Sequence, residues 1–591
     1  KEAGIEGAKE IFFAVISTTI TLVAVFFPIV FMDGMTGRLF REFSIVVSGS
    51  VIISSFAALT FTPMLATKLL IKREKQSWFY RKTEPFFEGL NNLYSRSLAA
   101  FLRKRWIALP FTAATILIIG FLWNHIPAEM APLEDRSQIS INTRGAEGVT
   151  YEYIRDYTED INQLVDSIVP DAEAVTARVS SGSGNVRITL KDMQDRDYTQ
   201  MEVAEKLSKA VQKKTMARSF VQQSSSFGGR RGGMPVQYVL QATNIEKLQE
   251  VLPKFMAKVY ENPVFQMADV DLKFSKPEAR ININRDKASI MGVSTRNIAQ
   301  TLQYGLSGQR MGYFYMNGKQ YEILGEINRQ QRNKPADLKG IYIRSDKGDM
   351  VQLDNLIELT NGIAPPKLYR YNRFVSATIS AGLADGKTIG QGLDEMDKIA
   401  KETLDDTFRT ALTGDSKEYR ESSSSLMFAF ILAILLIYLI LAAQFESFKD
   451  PLIIMLTVPL AIAGALVFMY FGGITMNIFS QIGIIMLIWL VAKNGILIVE
   501  FANQKQETGE DKMQAIKDAA LQRLRPILMT SASTVLGLIP LAFATGEGCN
   551  QRIAMGTAVV GGMLVSTLLT MYIVPAIYSY VSTNRSKLKN E

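Results

Sequence analysis

Lys493 is the residue whose type and surroundings point most directly to chemistry. It is the only charged residue in Met486–Val499, an otherwise apolar segment. An ionisable side chain inside hydrocarbon costs at least about 2.5 kcal/mol, so such residues are functional candidates by default. Because an unpaired ammonium there would lose its proton, we expect a carboxylate to face Lys493 across a helical bundle. The pattern indicates a functional role for Lys493. The alternative, a lysine that reaches the membrane surface, fits less well because Lys493 lies deep in the segment.

A second polar pair lies in the segment Gln522–Thr530. Arg523 and Thr530 are seven residues apart, hence two turns apart on one face of a helix. This spacing places a fixed cation near one membrane boundary and a hydroxyl deeper inside, which would suit a path for protons. Ordinary anchoring of Arg523 at the interface is the alternative. Glu500 is interpreted as an acid at a helix end.

No pattern typical of an enzyme is present. We find no nucleophile–base set, phosphate-binding loop or metal-ligand spacing. The chain has one cysteine, Cys549, and one histidine, His125, which exclude an internal disulfide and a histidine-based metal centre. The net charge of +8 suggests nucleic acid at first sight, but the basic residues stand beside apolar segments, where membrane orientation explains them. We therefore predict a protein that is not an enzyme, has no cofactor or metal and binds no nucleic acid.

Long apolar runs determine the fold class. Hydrophobic residues make up 48% of the 591 residues and charged residues 21%, and the apolar ones are concentrated in runs. About 20 apolar residues cross the roughly 30 Å of membrane hydrocarbon. The sequence therefore predicts a polytopic α-helical membrane protein with about eight transmembrane helices, near residues 11–31, 44–70, 106–125, 426–443, 452–471, 478–501, 526–545 and 553–580.

The distribution of positive charge predicts the topology and the domains. The stretch 71–105 holds nine Lys or Arg against three acids, which places it in the cytoplasm. The hydrophilic block 126–424 then lies outside the inner membrane, in the periplasm. We predict two transmembrane helices that end a first repeat, a cytoplasmic amphipathic linker, one more transmembrane helix, the periplasmic domain, and five further transmembrane helices with a cytoplasmic tail, over residues 1–70, 71–105, 106–125, 126–424 and 425–591.

The periplasmic block alternates short strand and helix patterns. Gln138–Thr143 reads as a strand and Thr150–Ile168 as an amphipathic helix, and Val270–Phe274 reads as a later strand. Repeated units of this size predict an α+β domain of split-βαβ subdomains. Ser224–Gly233 is rich in glycine and serine and is interpreted as a connector rather than an anion site.

An internal repeat relates the two ends of the chain. A shift of 512 positions matches the first two predicted helices to the last two without a gap; Thr18, Pro28, Gly34 and Pro63 then align with Thr530, Pro540, Gly546 and Pro575. Parallel repeats of this kind build transporters from two similar halves. By symmetry a first half would precede Lys1, and we expect the chain to be a fragment or one piece of a split protein.

Four segments carry a resemblance to a known family. Ala443–Pro451, Val491–Gln504, Gln522–Ser531 and Gly556–Gly562 are similar to the hydrophobe/amphiphile-exporter branch of the RND (resistance–nodulation–division) superfamily. The resemblance implies multidrug or amphiphile export by substrate/proton antiport. It also implies a homotrimer in the inner membrane, a tripartite pump with a periplasmic adaptor and an outer-membrane channel, and a missing N-terminal half.

The resemblance also assigns residues. Lys493, Asn494, Arg523 and Thr530 fall on the family's proton-relay positions, whose aspartate partners would lie on a helix before Lys1. Arg187 stands where a substrate-pocket aromatic is often found, which argues against a broad aromatic drug pocket. The first porter strand, Ile139–Thr143, has no methionine, which argues against metal export.

A last segment, Gly312–Gly325, resembles the outer docking hairpin. Its Asn317-Gly318 pair is typical of a tight turn between two strands. Two other functions stay open: a protein-export accessory of the same superfamily, and a fragment that keeps the fold without transporting. The exporter motifs favour the transporter.

Overall fold

The computed structural model describes residues 2–69, 78–223, 234–364, 367–384 and 386–583. The chain begins with long helices, continues through an α+β domain, and returns to long helices. The first group comprises α1 (Glu2–Val30), α2 (Gly34–Leu69), α3 (Trp78–Arg103) and α4 (Ala108–His125). The chain reverses at 31–34, where Gly34 has φ 81°, and α1 and α2 then pack side by side as an antiparallel pair, as the hydrogen-bonded hydroxyls of Thr19 and Ser55 show.

The first unit of the α+β domain is an antiparallel sheet covered on one face by two helices. Across the sheet its strands are, in order, β2 (Ala174–Ser180), β3 (Ser183–Thr189), β1 (Gln138–Arg144) and β4 (Arg218–Gln223). Thr150 and Thr199 cap the two helices by accepting backbone N–H groups of Tyr153 and Glu202. In chain order the elements are β1 (Gln138–Arg144), α5 (Tyr151–Ile168), β2 (Ala174–Ser180), β3 (Ser183–Thr189), α6 (Gln200–Val211) and β4 (Arg218–Gln223).

The second unit has a five-stranded sheet into which a smaller subdomain is inserted. It starts with β5 (Val236–Ala242), α7 (Ile245–Glu261) and β6 (Phe265–Val270). The inserted subdomain contains β7 (Pro277–Ile283), α8 (Arg285–Ile290), α9 (Thr295–Leu306), β8 (Gln309–Met316), β9 (Lys319–Gly325), β10 (Tyr342–Arg344), β11 (Met350–Gln352) and β12 (Ile357–Ile363). The sheet is completed by β13 (Tyr369–Tyr371), β14 (Phe374–Leu383), α10 (Ile389–Thr403) and β15 (Arg409–Leu412).

The second group of long helices follows. It comprises α11 (Gly414–Phe445), α12 (Lys449–Met455), α13 (Thr457–Phe471), α14 (Ile478–Glu507), α15 (Lys512–Ala542) and α16 (Cys549–Val581). Among the described residues, seven helical segments are long and apolar enough to cross a membrane, and the apolar part of α1, Val15–Val30, is shorter. The membrane-protein class with an α+β domain is confirmed, whereas the number eight stays a prediction.

Both copies of the repeat form a helix pair. Pro28 lies inside α1 and its counterpart Pro540 inside α15; Pro63 lies inside α2 and its counterpart Pro575 inside α16. An internal proline removes one helical hydrogen bond and favours a bend. The constant offset in the sequence therefore corresponds to a repeated helix pair with prolines at the same places.

The segment Gly556–Gly562 packs α16 against three neighbouring helices. A Cβ on Gly556 would lie 2.5 Å from the backbone nitrogen of Ala542 on α15, and one on Gly561 would lie 2.5 Å from Cβ of Phe468 on α13. A Cβ on Gly562 would lie 2.3 Å from a methyl of Leu487 on α14. These distances leave no room for a side chain, so the three glycines allow α16 to approach all three neighbouring helices closely.

One predicted strand is wrong in position. The sequence favours Val270–Phe274, but β6 ends at Val270 and pairs with β14 from Phe265 onward. The backbone N–H of Asp271 still donates to the carbonyl of Thr378 at 3.1 Å, but the N–H of Thr378 donates to the carboxylate of Asp271 instead of its carbonyl, so a side chain takes one of the two ladder bonds. The connector predicted at Ser224–Gly233 lies outside the described residues.

Replacing Gly556 with alanine should lower the stability of the protein by about 1–3 kcal/mol, because the new methyl meets backbone that cannot move aside. The matched control is Gly537→Ala on α15, where no atom of the described residues lies within 4 Å of the added Cβ. That substitution should be neutral or raise stability by about 0.5–1 kcal/mol through helix propensity. Thermal unfolding in detergent measures both. Equal melting temperatures for the two variants would contradict the packing described.

Candidate functional site

Lys493 and Thr530 lie at the same depth of the bundle. Their sequence neighbours are bonded to each other: Nδ2 of Asn494 donates to Oγ of Ser531 at 3.4 Å. The hydroxyl of Thr567 on α16 donates to the same Ser531 oxygen at 3.1 Å. All three of these polar groups are buried. The bonded triplet thus fixes the register of α14, α15 and α16 at the level of Lys493.

A second polar level follows two turns away. Antiparallel α14 and α15 place Glu500 opposite Arg523, just as they place Lys493 opposite Thr530, and seven residues of helix span about 10 Å. The guanidinium of Arg523 lies 4.5 Å from the ring centre of Phe501, and its Nε is buried without a hydrogen-bond partner among the described residues. Glu500 lies within electrostatic range of Arg523. The bundle therefore carries a cation–hydroxyl level and an acid–cation level on one pair of helices.

The two levels face the side of the bundle. Lys493 is half-buried and Thr530 is exposed, and Lys493 makes no hydrogen bond or ion pair with any other residue that the structure describes. One turn before it, Nε1 of Trp489 donates to the carbonyl of Thr18 on α1 at 2.9 Å. The structure brings Lys493, Asn494 and Thr530 together at one level and Arg523 to the next. The carboxylate expected opposite Lys493 does not lie among the described residues.

Sequence reasoning missed a buried polar network at the end of the bundle away from the α+β domain. Asp450, at the start of α12, accepts Nδ2 of Asn503 at 3.1 Å and the hydroxyl of Ser582 at 3.1 Å. The hydroxyl of Tyr578 donates to the Asn503 oxygen at 2.5 Å and accepts Nε2 of Gln506 at 2.6 Å. Asp450 and Asn503 belong to two of the conspicuous sequence segments, and the structure shows that those segments meet here.

Two adjacent acids join the bundle to the α+β domain. The carboxylate of Glu134 accepts the backbone N–H groups of Asn550 and Gln551, at 3.3 and 2.8 Å, in the first turn of α16. Asp135 accepts the backbone N–H of Gln200, the first residue of α6, at 2.9 Å. A negative charge is stabilised at the positive end of a helix. Glu134 and Asp135 thus fasten one helix of the bundle and one helix of the domain to the same short segment.

Further contacts strengthen this connection. The fully buried guanidinium of Arg196 pairs with Asp135. Glu129 accepts the hydroxyl of Thr475, in the turn between α13 and α14, and its backbone N–H donates to the carbonyl of Met476 at 3.0 Å. The segment 126–137 is therefore bonded to the starts of α14 and α16 on one side and to α6 on the other.

A cleft of about 620 Å³ opens between the two units of the α+β domain. Among the described residues, its walls contain three acids and one lysine, together with four methionines from four different segments: Met130, Met201, Met234 and Met267. Flexible methionine side chains adapt to irregular apolar surfaces. The first porter strand does lack methionine. The four methionines of the cleft come from other segments of the chain, and the sequence of the strand could not indicate that they meet.

Arg187 does not line this cleft. It is exposed on the uncovered face of the first sheet, in register with Ser140 of β1. The same face carries a row of amides, in which Asn185 donates to Asn142 at 2.8 Å and Asn142 donates to Gln222 at 2.9 Å. Arg187 therefore belongs to a polar, hydrogen-bonded surface.

The strands β8 and β9 form an exposed hairpin. Asn317 and Gly318 occupy its turn with φ values of 52° and 73°, the left-handed conformations that a two-residue hairpin turn requires. The predicted hairpin is present, and its docking role stays a prediction.

Comparison with known proteins identifies relatives over nearly the whole chain. A sequence model of the AcrB/AcrD/AcrF family matches residues 1–582. An uncharacterized transporter from Haemophilus influenzae is 31% identical over 596 residues, which cover 99% of this chain and 58% of that protein. The chain thus spans somewhat more than half the length of this relative.

Replacing Tyr578 with phenylalanine should lower stability by about 1–3 kcal/mol, because the buried amides of Asn503 and Gln506 would each lose a partner. Tyr580→Phe on the same helix is the control, since its ring is 45% exposed and its stacking on Arg105 does not need the hydroxyl. Chemical or thermal unfolding in detergent compares the two. A Tyr580→Phe variant as unstable as Tyr578→Phe would show that the network contributes nothing.

The acid Glu129 should make stability depend on pH. Burial raises the pKa of Glu129 above its ordinary value of 4.5, against the opposing hydrogen bond from Thr475. The folded state then binds this proton more tightly than the unfolded state, so stability falls as pH rises from about 4.5 through the raised pKa. At pH values above the raised pKa, the Glu129→Gln variant should have a higher melting temperature than the native protein. Below a pH of about 4.5 the two melting temperatures should be equal. The exposed Glu147→Gln is the control. A constant difference at every pH would refute the expectation.

Proposed function

Because this chain belongs to the AcrB/AcrD/AcrF family of RND transporters, we propose that it exports amphiphilic compounds, multidrug substrates among them, in exchange for protons. The observation that carries the proposal is the pair of polar levels on α14 and α15. Lys493 and Thr530 form one level, and Glu500 and Arg523 form the other. Charged groups inside a membrane bundle are costly and typically mark ion or proton pathways.

Proton coupling follows from how Lys493 is held. The bonded triplet of Asn494, Ser531 and Thr567 fixes the helices around it, whereas its own ammonium has no described partner. In the proposed cycle Lys493 pairs with a carboxylate of the assembled transporter and releases it when that acid takes up a proton. A proton shifts a conformational equilibrium only if its affinity differs between the two states. Alternate pairing with Lys493 would supply that difference.

The route towards the α+β domain supports the same proposal. The segment 126–137 bonds α14 and α16 to α6, so that a movement of the bundle would reach the cleft between the two units. The methionine-lined cleft with its acids suits an apolar or amphiphilic substrate. The amide surface around Arg187 is a second candidate surface for substrate contact. The strand order of the first sheet and its two helices fit a split-βαβ subdomain.

Location and assembly are part of the proposal. The basic stretch before α4 supports a cytoplasmic side, which puts the α+β domain in the periplasm of a bacterial inner membrane. There the exposed β8–β9 hairpin, with Asn317 and Gly318 at its tip, would dock to an outer-membrane channel and a periplasmic adaptor, in a homotrimeric pump.

Lys493→Met tests the proposed relay. The methionine keeps the volume and removes the charge, and hydrocarbon tolerates it better than lysine, so the protein should still insert. Export should fall by on the order of a hundredfold, the usual contribution of a positioned proton-transfer group. The measurement is substrate accumulation in cells that lack other exporters, with membrane protein quantified in parallel.

The control is Lys517→Met, a lysine of α15 outside its apolar part. That variant should export normally. Near-normal export and pH dependence for Lys493→Met would show that Lys493 is only a structural cation.

A further inference from the structure

The helix α3 has one face that is packed and one that is not. On the packed side the hydroxyl of Tyr94 donates to the carbonyl of Met571 on α16 at 2.6 Å, and Leu98 is fully buried. The hydroxyls of Ser97 and Tyr572 are hydrogen-bonded at 2.9 Å. These contacts fix the rotation of α3 about its own axis, and so they determine which of its residues point away from the bundle.

The outward face of α3 is half apolar and half basic. Phe86 and Leu93, seven residues apart, are 69% and 66% exposed. Arg96 and Arg103, also seven residues apart, are exposed beside them. Neither arginine makes an ion pair with a residue that the structure describes, although Glu88 is exposed nearby. A soluble surface would not need the two large apolar side chains, and a purely buried face would not carry the two cations.

This face ends where a membrane span begins. A 3-10 turn at Arg105–Ile107 joins α3 to α4, and the span Arg105–His125 starts at that turn. Trp106 is 63% exposed in the turn, a position where membrane proteins concentrate tryptophan. Lys104 is exposed beside it, whereas Arg105 is held over the ring of Tyr580 at 4.4 Å. The outward face therefore lies at the depth of lipid headgroups.

We propose that the outward face of α3, together with Lys104 and Trp106, binds anionic phospholipids of the membrane leaflet in which α4 begins. Phe86 and Leu93 enter the acyl boundary, as in amphipathic helices that lie in the interface plane. Arg96, Arg103 and Lys104 contact the phosphates of the headgroups. Acids are few at this site, and one of them, Glu84, already pairs with Arg525 at 3.4 Å. Charge complementarity thus selects an anionic lipid over a neutral one.

The proposal assigns a lipid-binding site and is independent of the transport cycle. Each basic residue near an anionic surface strengthens association about fivefold, and the effect is screened by salt. Loss of Arg96, Arg103 and Lys104 should therefore reduce the preference for anionic lipid by about tenfold to a hundredfold. The packed face, which holds α3 on the bundle, is untouched by these substitutions.

The experiment incubates the purified full chain in detergent with equal amounts of phosphatidylglycerol and phosphatidylcholine of the same acyl chains. Retained lipid is quantified by mass spectrometry after washing. The native protein should retain phosphatidylglycerol in clear excess, and R96Q/R103Q/K104Q should lose that excess. The conservative R96K/R103K variant should keep it, as should R178Q/K206Q/K401Q, which removes three exposed cations of the α+β domain.

Two further arms distinguish the headgroup from other partners. Inorganic phosphate at the same phosphorus concentration should displace little lipid, and Phe86→Ser with Leu93→Ser should weaken retention of both lipids. An unchanged preference in R96Q/R103Q/K104Q would overturn the proposal. Full displacement of the lipid by inorganic phosphate would also overturn it. The same holds if R96Q/R103Q/K104Q loses a co-purifying protein while its lipid retention stays constant.

Discussion

The close approach of α16 to three neighbouring helices is the constraint on which the rest of the bundle depends. Lipid gives helices no hydrophobic reason to associate, so packing distance and interhelical hydrogen bonds must do this work. The glycines at 556, 561 and 562 permit the approach to α15, α13 and α14. Only at that distance does Thr567 reach Ser531, and the Asn494–Ser531 contact of the same triplet puts Lys493 level with Thr530. The small-residue seam and the shared level of Lys493 and Thr530 are therefore consequences of one geometry.

The polar groups inside the bundle fall into two sets. Some are hydrogen-bonded to one another and hold the helices together, and others have no hydrogen-bond partner among the described residues. The Asp450 network and the Ser531 triplet have their hydrogen-bonding groups paired with one another, which is how buried polar atoms are normally accommodated. Lys493 and Nε of Arg523 have no hydrogen-bond partner among the described residues. Because an unpaired polar group inside a bundle is expensive, the half-buried Lys493 and the buried Nε of Arg523 stand out physically. Both occur on the helix pair that carries the polar levels; the buried hydroxyl of Ser44 on α2 is a further group without a hydrogen-bond partner among the described residues.

The sequence predicted what local patterns can encode. The Asn317-Gly318 pair predicted its turn because both residues tolerate positive φ. The constant offset between Pro28 and Pro540 predicted the repeated helix pair. The Asp450–Asn503–Tyr578 network was not predictable, because its members lie on three helices and periodicity does not tell how deep one helix sits against another. The position of β6 was predicted wrongly for a related reason. The carboxylate of Asp271 replaces a ladder bond that the alternating sequence pattern alone would continue.

Glu134 holds the first turn of α16, and Tyr578 anchors its other end. With 33 residues, this helix is a rod about 50 Å long. If it pivots near Tyr578, a tilt of roughly 3° moves the end at Glu134 by about 2 Å, because displacement grows with the length of the lever arm. Glu134 and Asp135 are consecutive, so that the start of α6 receives this displacement through a single peptide unit. A tilt of α16 by a few degrees would thus displace the start of α6 in the α+β domain by about 2 Å.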